Sequence, residues 1–136
     1  MENNNKNNIN IIPVVSYFNS YIDKSIIYKE NKNKSGVYRW NNLITGKSYI
    51  GSSVSLSGRF SSYYSLTYLK KRVEKGSSII YSSLLKYGYS NFSVDILEYC
   101  EPILLILKEQ YYIDILKPEY NILEKAGTRF GIKQSE

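Results

Sequence analysis

Hydrophobic and polar positions follow two periods along this chain, and its first half predicts a hairpin followed by two helices. Residues 36–40 and 47–51 are rich in β-branched and aromatic side chains and enclose a turn-forming stretch, which is typical of a β-hairpin. Residues 56–72 carry apolar side chains at helical spacing behind serines that can cap a helix. A second helix is predicted at 78–87, where Gly88 ends it.

The second half of the chain predicts one strand and one further helix. Residues 92–99 alternate between two faces, as a strand does. Pro102 suits the first turn of a helix that runs to about Leu116, where Lys117-Pro118 ends it. The segment 120–123 is too short for more than an edge strand or an ordered turn. The order of elements predicts a small α+β domain, in which a short β-sheet of the hairpin and a third strand is flanked by about three helices.

A chain of 136 residues can bury one modest core, so we expect one domain with tails. The first ten residues are rich in asparagine and cannot bury apolar surface. They open a low-complexity and extended lead-in, 1–33, with a short helix near residues 19–30. The predicted domain spans 34–123, and residues 124–136 form a separate short tail.

Charge is distributed unevenly along the chain, whose net charge is +6 and whose pI is near 9.2. Residues 31–76 contain nine basic side chains and one acidic one, whereas residues 95–124 contain seven acidic and two basic ones. The middle of the chain is therefore expected to face a polyanion, either nucleic acid or an anionic membrane surface, while the later part supplies carboxylates. No stretch of 18 apolar residues is present, so we expect a soluble protein without membrane insertion.

Two absences restrict the chemistry of the chain. Its single cysteine, Cys100, excludes an internal disulfide framework, and the lack of histidine excludes zinc fingers and histidine-based catalysis. Acid and base chemistry would have to come from tyrosine, lysine or carboxylates. Tyrosine is abundant, with 15 copies, but this abundance fits an AT-rich genome, so each tyrosine needs support from its position.

Glu109 is the most informative carboxylate. Its helical neighbours Leu105, Ile106, Tyr112 and Ile113 are apolar, so it is predicted to project from the apolar side of its helix. A carboxylate in that position is costly unless it is paired or bound to a cation. Spacing alone leaves open a metal ligand, a catalytic group or a structural ion pair.

Arg59 is one of four arginines in a chain that otherwise uses lysine, and Tyr63 lies one turn later on the same helical face. A planar guanidinium suits a phosphate, or the charge that develops at phosphorus, better than an ammonium does. A surface arginine stacked on Tyr63 is the alternative that these two residues leave open.

Arg59 and Glu109 belong to a set of five sequence elements that occur in a fixed order. Gly36-Val37-Tyr38, Tyr49-Ile50-Gly51, Arg59, Glu109 and Asn121 together resemble the signature of the GIY-YIG nuclease family, with Gly-Val-Tyr as a mild variant of the first triplet. The resemblance implies a GIY-YIG-type α+β domain, and within the family the chain resembles the group I intron-encoded homing endonucleases of fungal mitochondria.

The resemblance also implies roles for the tyrosines and the arginine. Tyr38 and Tyr49 would face the scissile phosphate, and Tyr49 would help to deprotonate the attacking water. Arg59 would stabilise the charge on phosphorus, and Tyr63 would contact the phosphate or the leaving group. A tyrosine acting as base would need a pKa below its usual value of about 10, lowered by a cation and by Arg59.

The remaining signature residues would serve the metal and the frame of the site. Glu109 would hold a single divalent cation, Mg²⁺ or Mn²⁺, since one carboxylate and waters suit Mg²⁺ better than zinc. Asn121 would order the site rather than react, and Gly36 and Gly51 would be structural. No small-molecule cofactor is expected.

By resemblance, the substrate would be double-stranded DNA and the location a mitochondrion, while the oligomeric state stays open. A degenerate DNA-binding relative that no longer cuts and a structure-specific repair or recombination nuclease are the two alternatives. The tail at 124–136 looks like the truncated start of a C-terminal DNA-binding region. Salt-sensitive phosphate contacts are predicted from a basic cluster. Its members are Lys70, Lys71, Arg72 and Lys75.

Overall fold

A four-stranded antiparallel sheet runs through the middle of the protein. The computed structural model describes residues 10–76 and 78–122. The strands stand in the order β1-β4-β2-β3. They are β1 (Val15–Tyr17), β2 (Gly36–Asn42), β3 (Ser48–Ser53) and β4 (Phe92–Tyr99). The β2–β3 hairpin and the strand at 92–99 confirm the predicted elements, and β3 forms one edge of the sheet.

Five α-helices surround this sheet in the described part of the chain. They are α1 (Lys24–Glu30), α2 (Leu56–Tyr63), α3 (Leu66–Glu74), α4 (Ile79–Tyr87) and α5 (Leu105–Leu116). Single 3₁₀ turns, Tyr89–Asn91 and Pro102–Leu104, precede β4 and α5. A helical turn at 119–122 takes the place of the edge strand considered for this region. No helix in the described ranges is both long and apolar enough to cross a bilayer.

The single helix predicted at 56–72 was wrong, because the chain breaks it at Tyr64 and Ser65. Tyr64 caps the C-terminus of α2, and the Ser65 hydroxyl accepts a hydrogen bond from the backbone N–H of Tyr68 at 3.2 Å. That bond satisfies one of the donors that a helix start leaves without a backbone partner. The break separates α3 from α2, and α3 packs against α4.

Two hydrophobic cores lie on the two faces of the sheet. The larger contains Tyr38 and Trp40 of β2, alternate residues of β4, and the buried faces of α2, α3 and α4. The smaller joins the sheet to α5. Its buried members are Val37, Ile50, Leu97 and Tyr112. The two faces predicted for residues 92–99 are confirmed, since Ile96 belongs to the larger core and Leu97 to the smaller one.

The fourth strand comes from the predicted lead-in, so the prediction of a three-stranded sheet was one strand short. Val15–Tyr17 pairs with β4, and Ser16 donates a hydrogen bond to Asp95 at 2.7 Å. Helix α1 follows within the segment expected to hold a short helix and packs against α2. Part of the lead-in is therefore packed against residues 34–122 as an edge of the same sheet.

Candidate active site

Two predicted site residues, Arg59 and Tyr63, contact the hydroxyl group of a third, Tyr38. The Tyr38 and Tyr63 hydroxyls lie 2.8 Å apart, and Arg59 donates from Nη1 to the Tyr38 oxygen at 3.4 Å. Strand β2 positions Tyr38, while one turn of α2 separates Arg59 from Tyr63 and places both on the same side of that helix. Tyr38 and Tyr63 are fully buried and Arg59 is exposed, so the guanidinium is the member that meets solvent.

Glycine is required opposite Tyr38. Gly51 of β3 pairs with Tyr38 across the hairpin, and a Cβ at this position would lie 2.6 Å from Tyr38 Cζ. Gly36 is restricted in the same way, because a Cβ there would meet the carbonyl oxygen of Glu98 in β4. The glycines of the two triplets therefore allow close approach of the strands and of the Tyr38 ring, as expected for structural positions.

Burial keeps the two central phenols protonated. Desolvation raises the pKa of Tyr38, Arg59 opposes that rise, and the Glu109 carboxylate adds to it. Burial likewise raises the pKa of Tyr63 well above its ordinary value, with a further rise from Tyr38. Both side chains are therefore neutral hydrogen-bonding phenols at neutral pH, which differs from what a tyrosine base needs.

Tyr49 is part of β3, and Asn121 forms hydrogen bonds to the same strand. Tyr49 is half-buried, packs against the larger core and stands opposite Trp40 in the hairpin. Asn121 binds the next residue, Ile50, twice: its Oδ1 accepts from Ile50 N at 2.7 Å and its Nδ2 donates to Ile50 O at 2.9 Å. The amide of Asn121 thus pairs with this edge strand and holds its backbone between Tyr49 and Gly51.

Glu109 lies on α5, half-buried, and accepts a hydrogen bond from the Ser52 hydroxyl of β3. Its predicted apolar surroundings are only partly correct. Leu105 and Tyr112 are buried, but Ile106 is 85% exposed, because only one narrow face of α5 packs against the sheet. Glu109 lies at the edge of that packed face, where its carboxylate can contact both Ser52 and solvent.

The donor set around Glu109 fits a weakly held hard cation. Among residues 10–76 and 78–122, no group of three histidine, cysteine, aspartate or glutamate side chains could hold a metal ion. Zinc prefers three or four protein ligands of nitrogen or sulfur. Mg²⁺ commonly binds through one or two carboxylates and keeps several waters, so Glu109 with the Ser52 hydroxyl beside it is a donor set that suits Mg²⁺.

The predicted basic cluster divides into two parts. Lys70, Lys71 and Lys75 are exposed on or just after α3. Arg72 is half-buried and stacks on the rings of Tyr68 and Tyr81. The three lysines are exposed to solvent, whereas Arg72 lies among aromatic side chains.

Sequence reasoning missed Ser52, Tyr68 and Tyr81 as neighbours of the site. Tyr68 and Arg72 are four residues apart, a spacing that places two side chains on one helical face and signals their contact. No local pattern separates Ser52 from the serines around it. Tyr81 and Ser52 reach the site through packing between elements distant in the chain.

Comparisons with known proteins find similar chains. A model of the GIY-YIG catalytic domain matches residues 34–121. The chain is 31% identical over 139 residues to a probable intron-encoded endonuclease, bI1, of Neurospora crassa. That match covers 96% of this chain and 30% of the relative, so the chain spans less than a third of the relative's length.

A solved structure is similar as well. The catalytic domain of the intron endonuclease I-TevI, in a mutant form, superposes with a TM-score of 0.51 at 32% sequence identity. The match covers 65% of this chain and 93% of that domain. The predicted α+β fold and the predicted family are both confirmed by these findings.

Proposed function

The chain belongs to the GIY-YIG nuclease family, and we propose that it cuts DNA by hydrolysis at a site built from Tyr38, Arg59 and Glu109. The observation that carries this proposal is the convergence of Arg59 and Tyr63 on the Tyr38 hydroxyl, at 3.4 and 2.8 Å. A protonated phenol beside an exposed guanidinium is suited to bind a phosphodiester and to stabilise the charge that grows on it.

Each side chain of the cluster has a distinct role in the proposal. Arg59 contacts the phosphate oxygens, since it is the exposed member of the cluster. Tyr38 is fully buried, so it acts through Arg59: its hydroxyl accepts a hydrogen bond from the guanidinium and holds that group toward the phosphate, while burial keeps the phenol protonated. A direct contact of Tyr38 with the phosphate stays a prediction. Tyr63 is 1% exposed and its hydroxyl is bonded to Tyr38, so it positions the Tyr38 hydroxyl. A direct contact of Tyr63 with the phosphate or leaving group stays a prediction.

Tyr49 is the candidate for taking a proton from the attacking water. Its ring is half-buried at the edge of the sheet, where a water molecule can approach. Asn121 supports this role by fixing the backbone of Ile50, the residue that follows Tyr49, through two hydrogen bonds. The proposed work of Asn121 is positioning.

Glu109, with the Ser52 hydroxyl beside it, would hold one Mg²⁺ or Mn²⁺ ion. The bound cation would supply charge neutralisation at the phosphate and a more acidic water. The Glu109 carboxylate also raises the pKa of the Tyr38 phenol, so it helps to keep that phenol protonated.

The substrate in this proposal is double-stranded DNA, and the enzyme is of the homing type. The relatives are named intron-encoded or intron endonucleases, and one of them is fungal. The AT-biased composition and that relative together favour a mitochondrial origin. The exposed lysines Lys70, Lys71 and Lys75 would contact phosphates without reading sequence, which makes binding dependent on salt.

Nicking of supercoiled plasmid DNA tests the proposal. At low salt the protein should nick the plasmid with Mg²⁺ or Mn²⁺ and should stop when EDTA removes the ion. DNA binding without nicking under either metal would contradict the proposal and would indicate a degenerate relative. Preferential cutting of branched over linear DNA would instead identify a structure-specific nuclease. Affinity that does not fall with rising salt would exclude the phosphate contacts of the lysines.

A further inference from the structure

Arg72 lies against two tyrosine rings that also contact each other. Its guanidinium carbon lies 5.3 Å from the ring centre of Tyr81 and 5.6 Å from that of Tyr68. It also donates from Nη1 to the Tyr68 hydroxyl at 3.1 Å. The two rings meet edge to face with their centres 5.9 Å apart. Arg72 is therefore placed by two helices, α3 and α4, and not by its own flexible stem alone.

This arrangement is continuous with the candidate active site. The ring of Tyr81 lies 5.4 Å from that of Tyr63, whose hydroxyl is bonded to Tyr38. Tyr81 is 8% exposed and closely packed, so the position of its ring depends on the rings beside it. A row of aromatic side chains thus joins two arginines. In order, the row is Arg59, Tyr38, Tyr63, Tyr81 and Arg72.

The chemistry of a stacked guanidinium suits a phosphate. Aromatic rings contact the face of the group, whereas a phosphate binds at its edge, where the N–H donors point. A stacked arginine also loses less conformational freedom on binding than an exposed lysine does.

We propose that Arg72 binds a second phosphate of the DNA strand, neighbouring the phosphate at Arg59, and thereby fixes the register of the strand in the site. The inference rests on the proposed function and deepens it. The two arginines at the ends of the tyrosine row would bind one DNA strand at two phosphates. Arg72 would then belong to the site, in contrast to the lysines of α3, which would contact DNA from its outer surface.

Replacement of Arg72 by glutamine, compared with Lys86→Gln, tests this role. Lys86 is exposed on α4 and lies 5.2 Å over the ring of Tyr87, so its replacement removes the same charge and the same kind of stacking contact. Two quantities are measured for each variant: the rate of plasmid nicking at saturating protein, and the slope of log affinity for plasmid DNA against log salt. Arg72→Lys and thermal unfolding of every variant complete the set.

The expected result is specific to Arg72. Its glutamine variant should nick about tenfold more slowly, and its salt slope should fall by about one, since one phosphate contact is lost. Arg72→Lys should regain the slope but not the rate, because an ammonium replaces the charge without the planar fork. Lys86→Gln should leave the nicking rate within about twofold of the parent protein and the salt slope unchanged.

Other results would overturn the inference. If Arg72→Gln and Lys86→Gln behave alike, Arg72 is not part of the site. If the rate of Arg72→Gln falls only in proportion to its unfolded fraction, with an unchanged salt slope, Arg72 is structural. If Arg72→Gln does not fold, full activity of Arg72→Lys would overturn the proposal. A parent protein that binds DNA without nicking would refute the proposed function, while the salt slope would still decide whether Arg72 contacts phosphate.

Discussion

At the scale of single residues, Tyr38 links the hairpin to the chemistry of the site. Its ring belongs to the larger core, and its hydroxyl accepts a hydrogen bond from Arg59 and shares one with Tyr63. The same burial that fixes the ring keeps its proton bound. The fold and the proposed function therefore both depend on the space that Gly51 leaves beside this hydroxyl.

Gly51→Ala should displace Tyr38 and destabilise the protein. A Cβ at this position would lie 2.6 Å from Tyr38 Cζ, far inside van der Waals contact, and the ring has no room to retreat in a close-packed core. Overpacking of this kind costs about 1 to 3 kcal/mol. Urea unfolding measures the change, with Ser48→Ala on the same strand as control. An unchanged midpoint for Gly51→Ala would contradict the account.

Alkaline pH should destabilise the fold through its buried tyrosines. Burial raises the pKa of Tyr81, Tyr89 and Tyr112 to about 12, and in Tyr112 the bond to Glu98 contributes as well. An unfolded tyrosine loses its proton near pH 10, so between about pH 10 and about pH 12 unfolding releases protons. The stabilising contribution is complete below pH 10 and is lost as the pH rises through 12.

Thermal unfolding across this range checks the prediction. The melting temperature should hold up to about pH 9.5 and then fall progressively toward about pH 12. The Tyr112→Phe variant should show a shallower fall, because it lacks one of the titrating groups. A melting temperature that stays level through this window would show that these phenols do not titrate differently in the folded and unfolded states.

The contact among Tyr38, Arg59 and Tyr63 could be expected from the signature spacing. Their roles in the reaction stay predictions. The distinction between Arg72 and its lysine neighbours was not predictable. A run of basic side chains is uniform in sequence, and the rings that separate Arg72 come from two helices. Which charge is stacked and which is solvated depends on tertiary packing.

At the scale of secondary structure elements, the break between α2 and α3 shapes the site. It allows α2 to present Arg59 and Tyr63 to the hairpin, while α3 presents Tyr68 and Arg72 to α4. Apolar spacing continues through the break, so periodicity alone predicted one helix. The capping residue, Ser65, lies in a serine-rich chain, and it could not be distinguished locally from serines inside helices.

Ser65→Ala should destabilise the protein by about 1 kcal/mol, because the backbone N–H of Tyr68 loses its acceptor at the start of α3. Ser82→Ala is the matched control, since Ser82 is exposed within α4, where alanine is the better helix former. Urea unfolding of both variants provides the comparison. Equal stability of Ser65→Ala and the parent protein would mean that the break does not depend on this cap.

At the scale of the whole molecule, the lead-in and the nuclease fold form one sheet. Asp95 in β4 connects them, because it accepts hydrogen bonds from Ser16 in β1 and from Arg39 and Asn41 in β2. The pairing of β1 with β4 joins residues 79 positions apart. Such a contact leaves no local pattern, which is why the lead-in was predicted only as extended chain with a short helix.

Asp95→Asn should therefore loosen three strands together. Removing one partner of a buried ion pair costs about 3 kcal/mol or more, and Asp95 is 6% exposed. Hydrogen exchange should accelerate in β1 and in the adjoining part of β2, whereas Ser16→Ala should affect β1 alone. Unaltered exchange in both strands of Asp95→Asn would show that this network does not hold the lead-in to the sheet.

The most direct test of the central claim is plasmid nicking at low salt with Mg²⁺ by the parent protein beside Arg59→Ala and Glu109→Ala. Lys86→Ala and Glu101→Ala serve as controls, since both side chains are exposed. Nicking by the parent and both controls, with losses of about a hundredfold or more in the two site variants, is the expected result. Equal nicking by all five proteins, or none by the parent while it still binds DNA, would contradict an active site built from Tyr38, Arg59 and Glu109.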